Sequence, residues 1–99
     1  MNVIATQTTI IVEKENIPQL SFPKRDVLTT ELEQKERHRR IIMAMRLGNS
    51  KKYKVKIIFE DIEGLKKVET TIWGVTVKNI ILKQGTLIPI NRIHEIKFF

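Results

Sequence analysis

Apolar and polar positions divide the chain into three stretches with different periods. From Tyr53 the period is two: Tyr53, Val55, Ile57 and Phe59 alternate with Lys54, Lys56 and Glu60, which marks a strand with one buried face. A polar turn at Asp61 to Gly64 leads into Val68, Thr70 and Ile72, so the two runs are predicted to form a hairpin. Gly74, before Val75-Thr76-Val77, falls where a strand of a small barrel would bend sharply, a position that suits a residue without Cβ. Ile80 to Leu82 is predicted as a third strand, turned at Gln84-Gly85 into Thr86 to Ile88. Pro89 has no N–H for a ladder and ends that fourth strand, after which Asn91-Arg92 turns into Ile93 to Phe99.

Between residues 30 and 47 the pattern is helical. Thr30, followed three residues later by Glu33, is a capping box, and Asp26, Glu31 and Glu33 place acids where the helix dipole favours them. Gly48-Asn49, after Arg46, is the expected left-handed stop. Ile41, Ile42 and Met45 form the predicted apolar stripe, continued towards the N-terminus by Gln34 and His38. The expected core is then Ile41, Ile42, Met45, Val55, Ile57, Phe59, Val68, Ile72, Val75, Leu82, Ile88, Ile93 and Ile96. Residues 1–28 have no sustained period. Ile4 to Glu13 could pair as a strand, Pro18 and Pro23 punctuate the stretch after it, and the arm is open between a docked extra strand and a mobile tail.

The expected fold is therefore mainly β within an α+β class: an arm over 1–28, then a single domain over 29–99. In it one helix precedes a strongly bent five-stranded antiparallel sheet or a small barrel, since closing a short sheet removes its edges. The run Ile80-Ile81-Leu82-Lys83-Gln84-Gly85-Thr86-Leu87-Ile88-Pro89-Ile90-Asn91-Arg92-Ile93-His94-Glu95-Ile96 resembles the closing segment of small SH3-like and Sm-like barrels, and a helix ahead of the first strand is similar to the Sm-like arrangement. Sm-like RNA binders carry an Asp…Met-Asn loop and an Arg-Gly type loop. The corresponding positions here are Gly74 to Asn79 and Ile90-Asn91-Arg92, so that RNA pocket is not carried over. The chain as a whole is also similar to short bacterial proteins of unassigned function, a likeness that adds no chemistry.

Composition narrows the function classes. The 99 residues contain no cysteine, which removes disulfides, thiolate zinc sites and cysteine nucleophiles and suits a reducing cytoplasm. No stretch approaches the ~18 apolar residues of a membrane span, and the first residues lack the basic and apolar regions of an export signal, so the expectation is a soluble, cytoplasmic protein with no membrane partner. His38 and His94 are the two histidines. Each reads as a packing or barrel-rim residue, and no paired-carboxylate motif or phosphate-cradling loop accompanies them. The expectation is a non-enzyme with no cofactor and no metal.

Charge supplies the remaining signal. The net charge is +7, and between Lys35 and Lys56 nine basic residues face one acid, Glu36, a density that suits phosphate backbones. Part of it has a structural account, because Glu31–Lys35, Glu33–Arg37 and Glu36–Arg40 are spaced for ion pairs along a helix. Arg39, Arg46, Lys51, Lys52, Lys54 and Lys56 lack such partners and are the candidate nucleic-acid-binding residues; on a helical wheel Lys35, Arg39 and Arg46 fall within about 40° of each other, a ridge beside the apolar stripe that Lys54 and Lys56 are expected to extend over the sheet. Trp73 is either a stacking or partner platform or packed under the helix, and Phe99 is a candidate partner contact beside an inward Phe98. The leading reading is a nucleic-acid-binding protein of low sequence specificity, RNA rather than duplex DNA. The alternative is a protein-interaction module or homo-oligomer that uses an exposed sheet edge, Trp73 and Phe99.

Overall fold

The computed structural model describes residues 8–99 of the chain. It is an α+β arrangement of one long helix and two sheets. Strand β1 is Ile10–Ile11, helix α1 is Glu31–Lys51, and the later strands are β2 Val55–Asp61, β3 Gly64–Thr70, β4 Ile72–Val75, β5 Asn79–Leu82, β6 Leu87–Pro89 and β7 Ile93–Phe98. Short 3-10 turns occupy Lys14–Gln19, Lys83–Gly85 and Ile90–Arg92. The first sheet has the order β1-β3-β2-β7 and the second β4-β5-β6. All pairings are antiparallel except the two-residue contact of β1 with β3.

The alternation read from Tyr53 onward gives the register directly. Val55, Ile57 and Phe59 are buried and lie across from Thr70, Val68 and Lys66, while Glu69 on the opposite face is exposed. The chain departs from expectation at the bend. Thr71, not Gly74, is the single residue between β3 and β4, so six strands rather than five follow residue 52, and they form two sheets that do not close into a barrel. Gly74 instead follows a bulge that leaves Trp73 as the extra residue between the Ile72–Leu82 and Gly74–Ile81 pairs, and Ile81 packs across the space a Cβ would need.

Helix α1 starts where the capping box places it: Thr30 Oγ1 accepts the Glu33 N–H at 3.2 Å and donates to the Glu33 carboxylate at 2.8 Å. It does not stop at Gly48-Asn49. It runs on to Lys51, and Lys52 takes the left-handed conformation, φ 56°, donating its N–H to the Gly48 carbonyl. Gly48 has a different task. A Cβ there would lie 2.5 Å from the Ile72 carbonyl oxygen and 2.8 Å from Thr71 Cγ2, so glycine lets the helix lie directly on the β4 backbone.

The buried face of α1 is Arg37, Ile41, Ala44 and Gly48, which at about 100° per residue is turned roughly 80° from the predicted stripe. Ile42 and Met45 are half-buried, Met43 and His38 exposed, so His38 is not a packing residue. The reason is Arg37. It is buried against the arm, where two guanidinium nitrogens donate to Asp26 at 2.9 and 2.8 Å and one of them also reaches the Ile93 carbonyl at 3.1 Å. Arg40 donates to the Ile96 carbonyl at 3.2 and 3.0 Å. The first half of α1 therefore covers the outer edge of β7 with arginines and the second half covers β4 at Gly48, so the helix rests on an outer strand of each sheet.

The arm is docked over the described residues 8–28; the part of the expected strand at Ile4 to Gln7 lies outside them. Ile17 is fully buried, Phe22 packs on Phe59 with ring centres 6.0 Å apart, and the Ile62 N–H reaches the Ser21 carbonyl at 2.8 Å. Ile17, Ala44 and Ile80 complete a core that otherwise contains the expected residues, with Ile42, Met45 and Val75 only half-buried. Asp61 and Lys66, 2% and 4% exposed, form a buried ion pair at 3.0 Å. Burial raises the Asp61 pKa, but the Lys66 ammonium and the N–H groups of Glu63 and Gly64 outweigh it and hold the carboxyl below its ordinary value.

Candidate nucleic-acid interface

The six cations that spacing leaves without partners do not share one fate. Arg39 forms a two-point contact with Glu36, Nε to Oε1 at 3.1 Å and a terminal nitrogen to Oε2 at 2.7 Å. That hydrogen bonding holds the Glu36 carboxyl below its ordinary value and raises the Arg39 guanidinium, so the pair is locally neutral. Lys56 is half-buried on the outer face of the first sheet with its ammonium 5.0 Å from the centre of the Phe99 ring. Arg46, Lys51, Lys52 and Lys54 are exposed, and none has a carboxylate within ion-pair distance among the described residues.

The expected intrahelical pairs are partly replaced. Lys35 meets Glu31 at 3.5 Å as its spacing requires, and Arg40 lies 3.9 Å from Glu36 while its hydrogen bonds go to β7. Arg37 leaves Glu33 for Asp26, eleven residues upstream and on the arm, whose carboxyl the guanidinium's hydrogen bonds hold below its ordinary value. Lys35, Arg39 and Arg46 do fall on one line of the helix. With Arg37, Ile41, Ala44 and Gly48 buried, that line lies about 170° from the buried face, so it looks outward and does not border a sheet.

Nor does the ridge continue across the first sheet. There Lys56 sits between Glu69 and Lys97, and Ile58 between Lys67 and Glu95, so each row places an acid among its cations. The positive charge left by the candidates without acid partners lies on the last two turns of α1 and at the entry to β2. Lys83 adds to it, because Lys54 and Lys83 line one cavity of about 440 Å³ with Thr70 and Thr71. Lys83 is not readable from the sequence: it lies 29 positions from Lys54, and the pairing of β5 with β4, extended by the hydrogen bond from the Lys83 N–H to the Thr71 carbonyl at 3.1 Å, brings it to this corner. Lys14, Glu13 and Glu69 line the same cavity, so three lysines face two glutamates there.

Comparison of the chain with protein-family models, curated proteins and solved structures finds no match.

The remaining candidates are placed by the fold. Trp73 is 48% exposed and so not packed under the helix. Ile81 shares the outer face of the second sheet with Leu87, which it opposes in register, and Leu87 is also exposed. Phe98 packs on the core with Tyr53, and Phe99 is exposed over Lys56, as the doublet predicts. His94, the extra residue where β7 bulges against β2, lies 2.7 Å from Glu60 through Nε2. Among the described residues no group of three or more His, Asp or Glu side chains converges to hold a metal ion, and no helix is long and apolar enough to cross a membrane.

Proposed function

We propose that this protein is a non-enzymatic binder of nucleic acid, RNA in preference to duplex DNA, that grips the phosphate backbone at the C-terminal end of α1 with little sequence specificity. The observation that carries this reading is that Arg46, Lys51, Lys52 and Lys54 are four exposed cations within nine positions and without a carboxylate partner among the described residues, whereas the cations on the N-terminal half of the helix, from Lys35 to Arg40, are each engaged by an acid, a carbonyl or both. Cations near a helix C-terminus also favour the dipole, which accounts for about 0.3–1 kcal/mol each. That accounts for Lys51 and Lys52 at the helix end, but not for Arg46 five residues before it, for Lys54 beyond the helix or for Lys83 beside it. The resemblance to small SH3-like and Sm-like barrels enters this reading through the 3-10 turn before the last strand and the helix ahead of β2, although the two sheets do not close.

Mobility shifts of mixed-sequence RNA and DNA oligomers test it: binding is expected at low salt, falling steeply towards physiological salt, with RNA above duplex DNA. A wild-type chain that binds neither at low salt overturns the reading. In that case the exposed Trp73 and Leu87 favour a protein-interaction or self-assembly module, whose association is nearly indifferent to salt.

A further inference from the structure

We propose that a second site, separate from the cations at the end of α1, binds a small organic anion with a flat apolar body. It is the cleft of about 650 Å³ bounded by residues 22–26 of the arm, the β4–β5 turn and the 3-10 turn Ile90–Arg92. None of Arg46, Lys51, Lys52 or Lys54 lines it.

Three features distinguish this cleft from an ordinary surface depression. Its walls are cross-tied before any ligand arrives: the Ile90 N–H donates to the Lys78 carbonyl at 2.9 Å, the Val27 N–H to the Asn91 carbonyl at 2.9 Å, Arg92 to the Arg25 carbonyl at 2.6 Å, and the Asn91 amide to the Lys24 carbonyl. Segments far apart in sequence are thus fixed around one space, and binding there needs little ordering of the chain. Its lining pairs apolar surface with cationic rim: Phe22, Pro23, Pro89 and Ile90 supply flat hydrophobic walls, and Lys24 and Lys78 stand at the edge without ion-pair partners among the described residues. Asp26, the acid in the lining, is already taken by Arg37, so the rim presents net positive charge.

The third feature is what folding leaves unused. Arg37, 7% exposed and part of the lining, keeps a buried Nε–H with no acceptor, in a molecule whose other buried side-chain polar atoms are satisfied among the described residues. Val77 on the rim is 96% exposed, an apolar side chain that contributes nothing to the fold and that a ligand body would cover. Lys24 and Lys78 beside the apolar lining suit an anionic head attached to an apolar body, either a phosphate monoester or a carboxylate.

The test is a titration of the 15N-labelled full chain, followed by backbone amide shifts, with phenyl phosphate, with benzoate and with the neutral benzyl alcohol. Saturable shifts in the millimolar range or tighter are expected at Lys78, Asn79 and Asn91 with at least one anion, the tighter one identifying the head group, and much weaker ones with benzyl alcohol. The double variant Lys24→Gln/Lys78→Gln should keep its melting temperature and bind the anion roughly tenfold more weakly. The variant with Arg46, Lys51, Lys52 and Lys54 all changed to Gln should bind it as the wild type does. The proposal is overturned if these amides show no saturable shift, if benzyl alcohol binds as tightly as the anions, if the double variant binds unchanged, or if the quadruple variant loses the response.

Discussion

Replacing Gly48 by alanine tests how the helix is seated, because two physical effects predict opposite signs. In an exposed helix interior the change is favourable by about 1 kcal/mol, since alanine has the better helix propensity. Here the new Cβ would stand 2.5 Å from the Ile72 carbonyl oxygen and 2.8 Å from Thr71 Cγ2, and the first of these is backbone that cannot swing away. Relief requires α1 to lift from β4, which loosens Ala44 and Ile41 on the same face. Overpacking of this kind costs about 1–3 kcal/mol, and weaker packing of Ile41 adds to it, so the net expectation is a loss of about 2 kcal/mol after the propensity gain. For a chain of this length that lowers the melting temperature by roughly 10 °C. Urea unfolding followed by far-ultraviolet circular dichroism measures it. A Gly48→Ala protein as stable as the wild type, or more stable, would refute the close seating of the helix on β4.

Other substitutions probe separate parts of the molecule. Lys52 holds a left-handed conformation that glycine adopts without penalty, so Lys52→Gly should raise stability by about 0.5–1 kcal/mol in the same urea assay while weakening nucleic-acid binding. Ile41→Ala should cost about 3 kcal/mol and Ile42→Ala under about 1 kcal/mol; equal costs would mean the helix face is misassigned. Asp61→Asn leaves the buried Lys66 ammonium with only the exposed Glu63 and should cost about 3 kcal/mol, part of which returns in Asp61→Asn/Lys66→Met. Because Asp61 and Asp26 have lowered pKa values in the folded chain, their contribution is complete above the ordinary carboxylate pKa and is lost as pH falls through the folded values. Wild-type stability measured against pH should therefore drop on the acid side, and more shallowly in Asp61→Asn.

Local chemistry made part of the fold legible in the sequence. The strand register is legible because Val55, Ile57 and Phe59 alternate with charged residues that water must solvate, and the helix start because Thr30 and Glu33 satisfy each other within one turn. The turn at Asp61 is legible for the same reason, as its carboxylate caps the N–H groups of Glu63 and Gly64. Features that depend on partners distant in sequence are not. Arg37 is buried because Asp26 and the Ile93 carbonyl meet it, and nothing within a helical turn announces either, so the apolar stripe reads as if it included Ile42. Gly48 reads as a stop because its steric role involves Ile72, a contact between elements. In the candidate site that limit applies to Lys56, which lies against Phe99, 43 positions away, whereas the pair of Arg39 with Glu36 is local, at a spacing of three that a count of i,i+4 pairs alone passes over.

If phosphate is gripped at the end of α1, salt-dependent RNA affinity measures that grip most directly. Fluorescence anisotropy of a labelled single-stranded RNA should be recorded between about 50 and 200 mM salt for three proteins: the wild type, the variant with Arg46, Lys51, Lys52 and Lys54 changed to Gln, and a control with Lys35 and Arg39 changed to Gln. The four exposed cations each contribute under about 1 kcal/mol to folding, so the quadruple variant should melt near the wild-type temperature. Its slope of log affinity against log salt should be shallower by about 0.7 for each phosphate that is no longer neutralised, and the control should keep the wild-type slope because its cations are already engaged by Glu31 and Glu36. Equal slopes and equal affinities for the quadruple variant and the control would contradict the assignment of the site.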